Sequence, residues 1–565
     1  MSHPGEDVSR ASPLPETRLA GVLLASFLLA GTALRLMNVG PALLFGDELH
    51  SLGDMHGGYP QILTHFSPTG GGLALPLLQR LLLDFFGDGH WSVRAPAWLA
   101  GLALLYLTFP IARRQAGEAA ALVATAGVAL APLLIFYAHF ARIYSLVALL
   151  CLLLLDQVDR ARRRAHWSVG TWIAVVGLTA LLPWAHPTAL GFVLPLYAGA
   201  LVTCGLEARR SDLAARPAAM RLVAALALAG AVCVLAYLPA RESLVEFVSA
   251  KTGAEYYGEF SPLDVASLIA GSRAGAIALG LGLLAAAIGV LRDAGVRSLP
   301  LLLAVAGPPV TIALIRPYGD AYAYARYILP AVVPAYILLG RGLTLAARFR
   351  PALGPSGVPL AGAAIALALW FAGPGLPRAA QHANTYLSML ALPAFDAAWP
   401  ETPAFYRELA ARPEAERAGL RLIEAPALTT RSRHLYRHYQ LQHGIPTSLA
   451  PLASEFPRIP AGPYVSFHRP GWREASGADY LIVHLDVGRE VAGYWRWLYG
   501  PRGPSPRPVD AAFMERHQRY GGPFPQPDPT LLSGLRAQLG QPIFSQDGLV
   551  VWDLRSATEP DTKPD

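Results

Sequence analysis

The sequence predicts a mainly α-helical, polytopic membrane protein with a small α/β domain after the last membrane helix. Of its 565 residues, 53% are hydrophobic and only 15% are charged, and the mean hydropathy is +0.36. A soluble protein carries about a quarter charged residues. Apolar runs long enough to cross a bilayer recur through residues 1–375, whereas charge, Pro and His rise after that point.

The length rule gives about eleven candidate spans. We expect the first to be retained rather than cleaved as a signal, because residues 1–17 are polar and no clear small-residue cleavage site follows. The spans cover approximately residues 18–37, 92–112, 118–137, 143–157, 169–184, 187–206, 219–239, 266–291, 298–315, 327–346 and 357–373.

Arginine-rich connections fall on alternate loops, which predicts the orientation. They lie at residues 113–114, 160–164, 209–210, 292–297 and 341–350. Positive loops stay in the cytoplasm. The N-terminus is therefore predicted to be cytoplasmic, and the loop with Asp47 and Glu48 to lie outside a bacterial cytoplasmic (inner) membrane.

The first outer segment, residues 39–90, is longer than a simple connector. Its glycines at 70–72 are not followed by Lys-Ser/Thr, so they do not form a P-loop; they are a hinge or only a turn. Residues 73–86 are apolar but interrupted by Arg80 and Asp84, which predicts a short helix in the membrane interface or a partial span.

Residues 376–556 are predicted to form the α/β domain. Strands are expected at 420–424, 463–468, 479–484 and 548–554, and helices at 404–418 and 530–539. An odd number of spans places this domain outside, and one miscounted helix would move it to the cytoplasm. Residues 557–565 are predicted to be a disordered tail.

Composition and spacing exclude several classes of function. No basic block is dense enough for a nucleic-acid partner. Cys151, Cys204 and Cys233 lie in apolar runs and lack the spacing of a disulfide framework or metal site, so we expect packed thiols. No HExxH or Cys/His zinc pattern occurs.

Four motifs resemble the GT-C superfamily of glycosyltransferases, in particular its protein-mannosyltransferase and aminoarabinose-transferase branch (families 39 and 83). They are Asp47-Glu48 after the first span, Ser-Val-Arg-Ala-Pro-Ala-Trp-Leu-Ala-Gly at 92–101, Tyr-Ala-His-Phe-Ala-Arg-Ile-Tyr-Ser-Leu at 137–146, and Tyr-Ala-Arg-Tyr-Ile-Leu-Pro at 324–330. The resemblance covers roughly residues 18–350. It implies a polytopic enzyme that moves a sugar from a polyprenyl-phosphate carrier to an acceptor.

The chain departs from the family pattern at two places. His65-Phe66-Ser67-Pro68-Thr69-Gly70 replaces a His-Pro-Pro-Leu-Tyr-like patch in the first loop. Phe140 stands where the family has a glutamate two residues before the arginine of the third motif. A common second carboxylate is therefore missing, which leaves metal binding and the class of acceptor open.

Asp47 and Glu48 are the candidate catalytic residues. A carboxylate at a low-dielectric boundary beside a second carboxylate is disposed to take a proton near neutral pH, so Asp47 is the candidate base for an acceptor hydroxyl. Glu48 is a candidate to hold the acceptor or a divalent cation. The alternative is that both are solvated interfacial charges.

Arg142 and Arg326 are candidate clamps for the lipid phosphate, since guanidinium offers a planar fork to phosphate oxygens. The alternatives are snorkelling from a helix end or an ion pair with Asp320 or Glu48. Other candidate substrate-binding residues on the same side are Tyr324, His186, His65 and His139. For the tyrosine the alternative is an interface-belt aromatic, and for His186 a hydrogen-bonded boundary histidine.

The predicted function is inverting transfer of a sugar from a polyprenyl-phosphate donor to a hydroxyl of a glycan, lipid or protein acceptor. No cofactor is certain, and a divalent cation is left open. The first alternative is a polytopic transporter or lipid or glycan flippase, which needs midplane polar residues, broken helices and repeats. The second alternative is a non-catalytic membrane anchor for the C-terminal domain. About eleven spans are far more than an anchor needs.

Overall fold

The computed structural model describes residues 14–36, 48, 54–55, 58–66, 72–87, 90–209, 215–252, 262–271, 273–317, 321–348, 398–427, 433–450, 465–467, 470–499 and 526–555. Residues up to 348 form helices. These are α1 (Leu14–Leu36), α2 (Tyr59–Thr64), α3 (Ala74–Phe86), α4 (His90–Ala116), α5 (Glu118–Leu130), α6 (Pro132–His139), α7 (Tyr144–Arg163), α8 (Val169–Ala185), α9 (Leu190–Arg209), α10 (Ala215–Tyr237), α11 (Arg241–Thr252), α12 (Pro262–Ala270), α13 (Arg273–Ala294), α14 (Leu299–Ile315) and α15 (Ala321–Arg348).

The chain is a multi-pass membrane protein. By length and hydropathy, six helical segments of the described chain can cross a bilayer, or seven if the bent pair α5–α6 forms one span. One of the six segments, Arg273–Ile315, has 43 residues and contains both α13 and α14. A segment of this length is too long for a single crossing of the bilayer. The predicted span at 357–373 lies outside the described residues, so the count of about eleven stays a prediction.

The apolar run predicted at 118–137 is not one straight helix, because Pro132 breaks it. The residue before a proline is driven out of the helical region, and Ala131 is extended, with φ −63° and ψ 115°. The two halves, α5 and α6, meet at a bend of 54°. Since proline has no N–H, the carbonyl of Val128 loses its helical donor.

Arg35, near the end of α1, supplies donors at this break. Its guanidinium donates to the carbonyl of Val128 at 2.8 Å, to that of Ala129 at 3.2 Å and to that of Gly31 at 2.9 Å. The Arg35 side chain is fully buried. In hydrocarbon an unsatisfied carbonyl costs several kcal/mol, so this arginine joins α1 to the broken span.

The basic loops meet at one end of the bundle. Arg114, near the end of α4, pairs with Asp156 of α7 at 2.9 Å. Arg297, between α13 and α14, pairs with Glu207 of α9 at 2.9 Å. Helix α7 has 20 residues and is about 30 Å long, with Arg160, Arg162 and Arg163 in its last turn, so its first residue, Tyr144, lies at the opposite end from these basic residues.

Helix α3 falls in the apolar segment predicted at 73–86. Its 13 residues extend about 20 Å, which is too short to cross a bilayer. One face is buried, with the Gln79 amide donating to the carbonyl of Val93 at 2.7 Å, while Phe85 and Phe86 are exposed. A helix lying in the membrane interface remains the prediction.

The C-terminal part is an α/β domain. Its helices are α16 (Ala404–Ala411), α17 (Glu414–Arg417), α18 (Arg433–His443), α19 (Trp472–Ser476), α20 (Val487–Tyr499) and α21 (Pro529–Leu539). Its strands are β1 (Leu422–Ala425), β2 (Thr447–Leu449), β3 (Tyr480–His484), β4 (Phe544–Gln546) and β5 (Leu549–Asp553). The sheet has the order β2-β1-β3-β5-β4, with β1, β2 and β3 parallel and β5 antiparallel to both β3 and β4.

Both faces of the sheet are covered. This explains why the first four residues of β3, 480–483, form an unbroken run of aromatic and aliphatic side chains. Tyr480 and Ile482 belong to one hydrophobic cluster, and Leu481 and Val483 to the other. Strands buried on both faces are continuously apolar rather than alternating.

Three of the four predicted strands are present as β1, β3 and β5. The fourth, at 463–468, is wrong in the part that the structure describes, since residues 465–467 are not in a strand. Val465 donates its N–H to the carbonyl of Leu449 at 2.9 Å, but the contact does not extend into a ladder. The predicted tail at 557–565 lies outside the described residues.

Candidate active site

Glu48 and Arg94 form a buried ion pair. The Arg94 Nε atom donates to Glu48 Oε1 at 2.8 Å and its Nη2 atom to Oε2 at 2.9 Å. Both side chains are completely buried. This two-point geometry is the strongest arrangement of an arginine and a carboxylate. The prediction left open that Glu48 points into water; the structure places it in the protein interior instead.

The same carboxylate also binds the segment between α6 and α7. Glu48 Oε1 accepts a hydrogen bond from the backbone N–H of Ala141 at 3.1 Å. Ala141 immediately precedes Arg142, the candidate phosphate ligand. Glu48 therefore connects the first loop, the start of α4 and the α6–α7 junction.

An aromatic and cationic group lies at the neighbouring helix ends. The Arg326 guanidinium lies over the rings of Tyr144 and Tyr327, with its carbon 5.4 and 5.2 Å from their centroids. The His186 ring is 5.4 Å from that of Tyr144 and 5.7 Å from that of Tyr327. Arg142 lies in the turn between α6 and α7, two residues before Tyr144. We call these five residues the cation cluster.

His186 has a defined orientation within the cation cluster. It precedes Pro187, where α8 gives way to a short 3-10 turn before α9. Its Nδ1 atom accepts from the backbone N–H of Thr188 at 3.3 Å and lies 2.7 Å from that residue's hydroxyl. Since Nδ1 is the acceptor, the neutral ring carries its proton on Nε2, which is then a donor.

The backbone explains why these side chains converge. Arg142 lies in the non-helical turn between α6 and α7, His186 in the one between α8 and α9, and Arg326 in the second turn of α15. Irregular backbone at membrane depth is tolerated where it is buried in protein or lines a cavity. Arg142 is 1% exposed and Arg326 is partly buried, so both guanidinium groups lie within the protein.

The other predicted site residues differ in their surroundings. His139 is buried, and its Nδ1 atom bonds the carbonyl of Ile135 at 2.9 Å within α6. The hydroxyl of Tyr324, also buried, donates to the carbonyl of Pro317 at 2.8 Å. His65 is exposed at the end of α2. Asp47 lies outside the described residues, as does Asp320.

The sequence-based reasoning gave no role to Arg94, although the residue is part of the 92–101 motif. Its partner is 46 positions away in the chain, and no spacing rule predicts such a pair. Its position, within a motif at the start of an apolar span, could have indicated a role for Arg94, because an ionisable residue at membrane depth is rarely without function.

A divalent cation does not fit Glu48. Both oxygens of the Glu48 carboxylate accept hydrogen bonds from the Arg94 guanidinium. A divalent cation bound to the same carboxylate would be repelled by the positive charge of Arg94. Nor, in the part of the chain that the structure describes, do three His, Cys, Asp or Glu side chains converge as metal ligands.

Comparison by sequence finds no family model and no curated protein that matches the chain. Two solved structures of ArnT from Cupriavidus metallidurans are similar at 14% identity over 96% of this chain and 99% of theirs. The TM-score is 0.48 for the apo state and 0.49 for the form bound to undecaprenyl phosphate. The archaeal oligosaccharyltransferase AglB from Archaeoglobus fulgidus, in complex with an inhibitory peptide and a dolichol-phosphate, is similar at 14% identity over 85% of this chain and 71% of its own, with a TM-score of 0.43.

Proposed function

We propose that the chain is an inverting glycosyltransferase that moves a sugar from a polyprenyl-phosphate donor to an acceptor hydroxyl at the outer face of the membrane. The observation that carries the proposal is the cation cluster beside the buried Glu48–Arg94 pair. Two guanidinium groups and an imidazole donor within one group of helix ends suit a phosphate ester. The hydrophobic helices around them suit its isoprenoid tail.

The charges fit the chemistry of the leaving group. In the donor, the phosphate is a diester with one negative charge. When the acceptor oxygen attacks the anomeric carbon, the bond from that carbon to the phosphate oxygen breaks, and the lipid phosphate leaves with a second negative charge. Arg142 and Arg326 bind the leaving phosphate more strongly than the diester, so they lower the barrier selectively.

The remaining requirement is a base for the acceptor hydroxyl. Asp47 adjoins Glu48 in the sequence, and Glu48 is bonded to the segment that carries Arg142. We assign to Asp47 the removal of the hydroxyl proton as the new bond to carbon forms. The acceptor then approaches from the face opposite the phosphate, which gives inversion.

The setting supports an outward-facing site. The arginine-rich connections meet at the other end of α7 from Tyr144, and basic loops remain in the cytoplasm. The cation cluster is then at the outer end of the bundle. An enzyme that uses lipid-linked sugars there needs no nucleotide donor, because the carrier lipid delivers the activated sugar.

The proposal is tested by binding of undecaprenyl phosphate to the purified full-length protein. We expect Arg142→Gln and Arg326→Gln each to weaken binding by about ten- to a hundredfold, the value of a charge-assisted hydrogen bond. Arg316→Gln is the matched control. Arg316 is exposed at the end of α14, and its Nε atom donates to the carbonyl of Ala313 at 3.3 Å.

Two outcomes contradict the proposal. One is equal affinity for the lipid phosphate in all three variants and the wild type. The other is transport without chemistry: radiolabelled lipid-linked sugar crossing a vesicle bilayer intact, with no transfer to any acceptor in a membrane extract. That second result supports the transporter or flippase alternative.

A further inference from the structure

The last turn of α8, directly before His186, lacks one of its helical donors. The carbonyl of Pro183 would accept from the N–H of residue 187, but Pro187 has none. Instead, the hydroxyl of Tyr237, the last residue of α10, donates to the carbonyl of Pro183 at 2.8 Å and lies 3.1 Å from that of Trp184. Tyr237 therefore caps the end of α8 from a neighbouring helix.

The final carbonyl of α8, that of Ala185, lies against the first loop. Gly72 is buried there with φ +70°. A β-carbon on this residue would overlap the Ala185 carbonyl oxygen and lie 2.9 Å from the carbonyl carbon. Glycine adopts this φ at little cost and lets two backbones approach this closely. The first loop is thus in contact with the residue that immediately precedes His186.

The first loop has a second contact with the same group of helix ends. The backbone N–H of Phe66 donates to the hydroxyl of Ser243 in α11 at 2.8 Å. The Phe66 ring is 1% exposed and lies 4.9 Å from the ring of Phe247 and 6.2 Å from that of Tyr237. Tyr237 therefore contacts the first loop with its ring and the end of α8 with its hydroxyl.

These contacts connect the first loop to two of the turns that carry the cation cluster. Glu48 accepts the N–H of Ala141, in the turn of Arg142. Gly72 abuts Ala185, in the turn of His186. One loop of the chain is consequently packed against both turns.

We propose that Gly72 and Tyr237 are positioning residues of the lipid-phosphate site: they hold the end of α8 where the Nε2–H group of His186 reaches the phosphate. The identity of the ligand rests on the proposed function, whereas the contacts that hold α8 do not. The His186 ring is fixed to its own turn through Nδ1 and Thr188. A shift of the end of α8 therefore moves Nε2 as well, and a hydrogen bond weakens steeply with misalignment.

The variant Gly72→Ala and its matched control Gly87→Ala test the close approach. Both glycines flank α3 and have a positive φ, +70° and +77°, so alanine introduces the same backbone strain at each. They differ in their surroundings, because a β-carbon at Gly87 would lie in open space among the residues that the structure describes. Only Gly72→Ala pushes against the end of α8.

A second pair of variants, Tyr237→Phe and Tyr197→Phe, tests the cap without adding an atom. Tyr237→Phe removes the donor to Pro183 and keeps the ring. Tyr197→Phe also removes a hydroxyl that contacts α8, at 2.8 Å from that of Thr179. Thr179 lies six residues before the end of α8, about 9 Å along the helix.

Two measurements on the purified full-length protein separate positioning from general stability. The first is affinity for undecaprenyl phosphate, which we expect to fall about tenfold in Gly72→Ala and about threefold in Tyr237→Phe, the values of a lost or weakened hydrogen bond to a charged group. In a His186→Gln background neither change lowers the affinity further, because both act through that ring. Gly87→Ala and Tyr197→Phe bind the lipid as the wild type does.

The second measurement is hydrogen exchange of a peptide that contains Thr188 and Ala189. The N–H of Thr188 donates to His186 Nδ1, and that of Ala189 to the His186 carbonyl at 3.0 Å, so their protection reports the geometry of this turn. We expect faster exchange there in Gly72→Ala and Tyr237→Phe and wild-type exchange in the two controls.

Equal exchange and equal lipid affinity within each matched pair overturn the proposal, as does a further loss of affinity in the His186→Gln background. If Gly72→Ala does not fold, the comparison of Tyr237→Phe with Tyr197→Phe decides. The failure of the proposed function has a different signature. In that case the wild type does not bind undecaprenyl phosphate, while the exchange difference within each matched pair persists.

Discussion

Arg94 donates two hydrogen bonds, at 2.8 and 2.9 Å, to the carboxylate of Glu48, and both side chains are completely buried. The pair lies between the first loop and the start of α4, and the carboxylate also accepts the N–H of Ala141 at 3.1 Å. Three segments distant in sequence are therefore held by one carboxylate. The candidate base, Asp47, is the residue directly before it.

Removing the charge from this pair destabilises the protein. Glu48→Gln leaves the Arg94 guanidinium buried without a counter-charge. We expect this to lower the free energy of unfolding by about 3–5 kcal/mol. The measurement is the midpoint of thermal unfolding of the purified protein in detergent. The control is Arg80→Gln in α3, which breaks a half-exposed pair with Asp84 and costs less than about 1 kcal/mol. Equal midpoints for the two variants would contradict the buried role of Glu48.

Arg35 is predicted to stabilise the broken span. Arg35→Met leaves the carbonyl of Val128 without a donor, because the helical donor at Pro132 does not exist. At about 1–3 kcal/mol for each unsatisfied carbonyl, the variant unfolds at a clearly lower temperature. Arg18→Met, at the exposed start of the same helix, leaves the unfolding temperature within error. If Arg35→Met and Arg18→Met had the same unfolding temperature, Arg35 would not stabilise the broken span.

His484 forms the charged centre of the C-terminal domain. Burial acts to lower the pKa of His484, but the negative charges of Glu490 and Glu424 outweigh it and raise the pKa to about 9. The Nδ1–H group lies 3.0 Å from both oxygens of Glu490, and Nε2 lies 2.9 Å from the hydroxyl of Tyr406. Burial also raises the pKa of Glu424. The groups that face this histidine are Glu424, Glu490, Tyr406, Tyr436 and Tyr439.

The domain therefore loses stability in alkaline solution. A histidine whose pKa is raised by folding contributes stability that is complete below its unfolded pKa of about 6.5 and is lost as the pH rises through about 9. We expect protection of β1 and β3, measured by hydrogen exchange corrected for intrinsic rates, to fall between pH 7 and pH 10.

The variant His484→Gln removes this pH dependence and lowers protection already at pH 7. The control is His438→Gln. Burial lowers the pKa of His438 to about 4, so it is neutral throughout this range and its replacement leaves the slope unchanged. A wild-type slope in His484→Gln would show that another group is responsible.

Apolar run length was enough to predict where most membrane helices lie, because the bilayer imposes one length on them all. It did not predict the break at Pro132, although a proline within an apolar run was visible, since the surrounding sequence is helix-forming on both sides. In the C-terminal domain β1, β3 and β5 were found from their apolar residues, whereas the three-residue strands β2 and β4 are too short to show a pattern.

The candidate site was predicted only in part. Arg142, His186 and Arg326 were chosen from their topological side. The structure brings His186 and Arg326 together around Tyr144 and Tyr327, and Arg142 lies in the turn just before Tyr144. The partners of Glu48 were not predictable, because they depend on how remote segments pack.

The measurement that tests the account most directly is sugar transfer by Asp47→Asn, made alongside undecaprenyl phosphate binding. Asparagine keeps the shape of aspartate but does not accept the hydroxyl proton. The account predicts that transfer falls by about 10²–10⁴-fold, the contribution of a general base, while lipid-phosphate binding and the unfolding temperature match the wild type. Transfer at near wild-type rates in this variant would contradict the account.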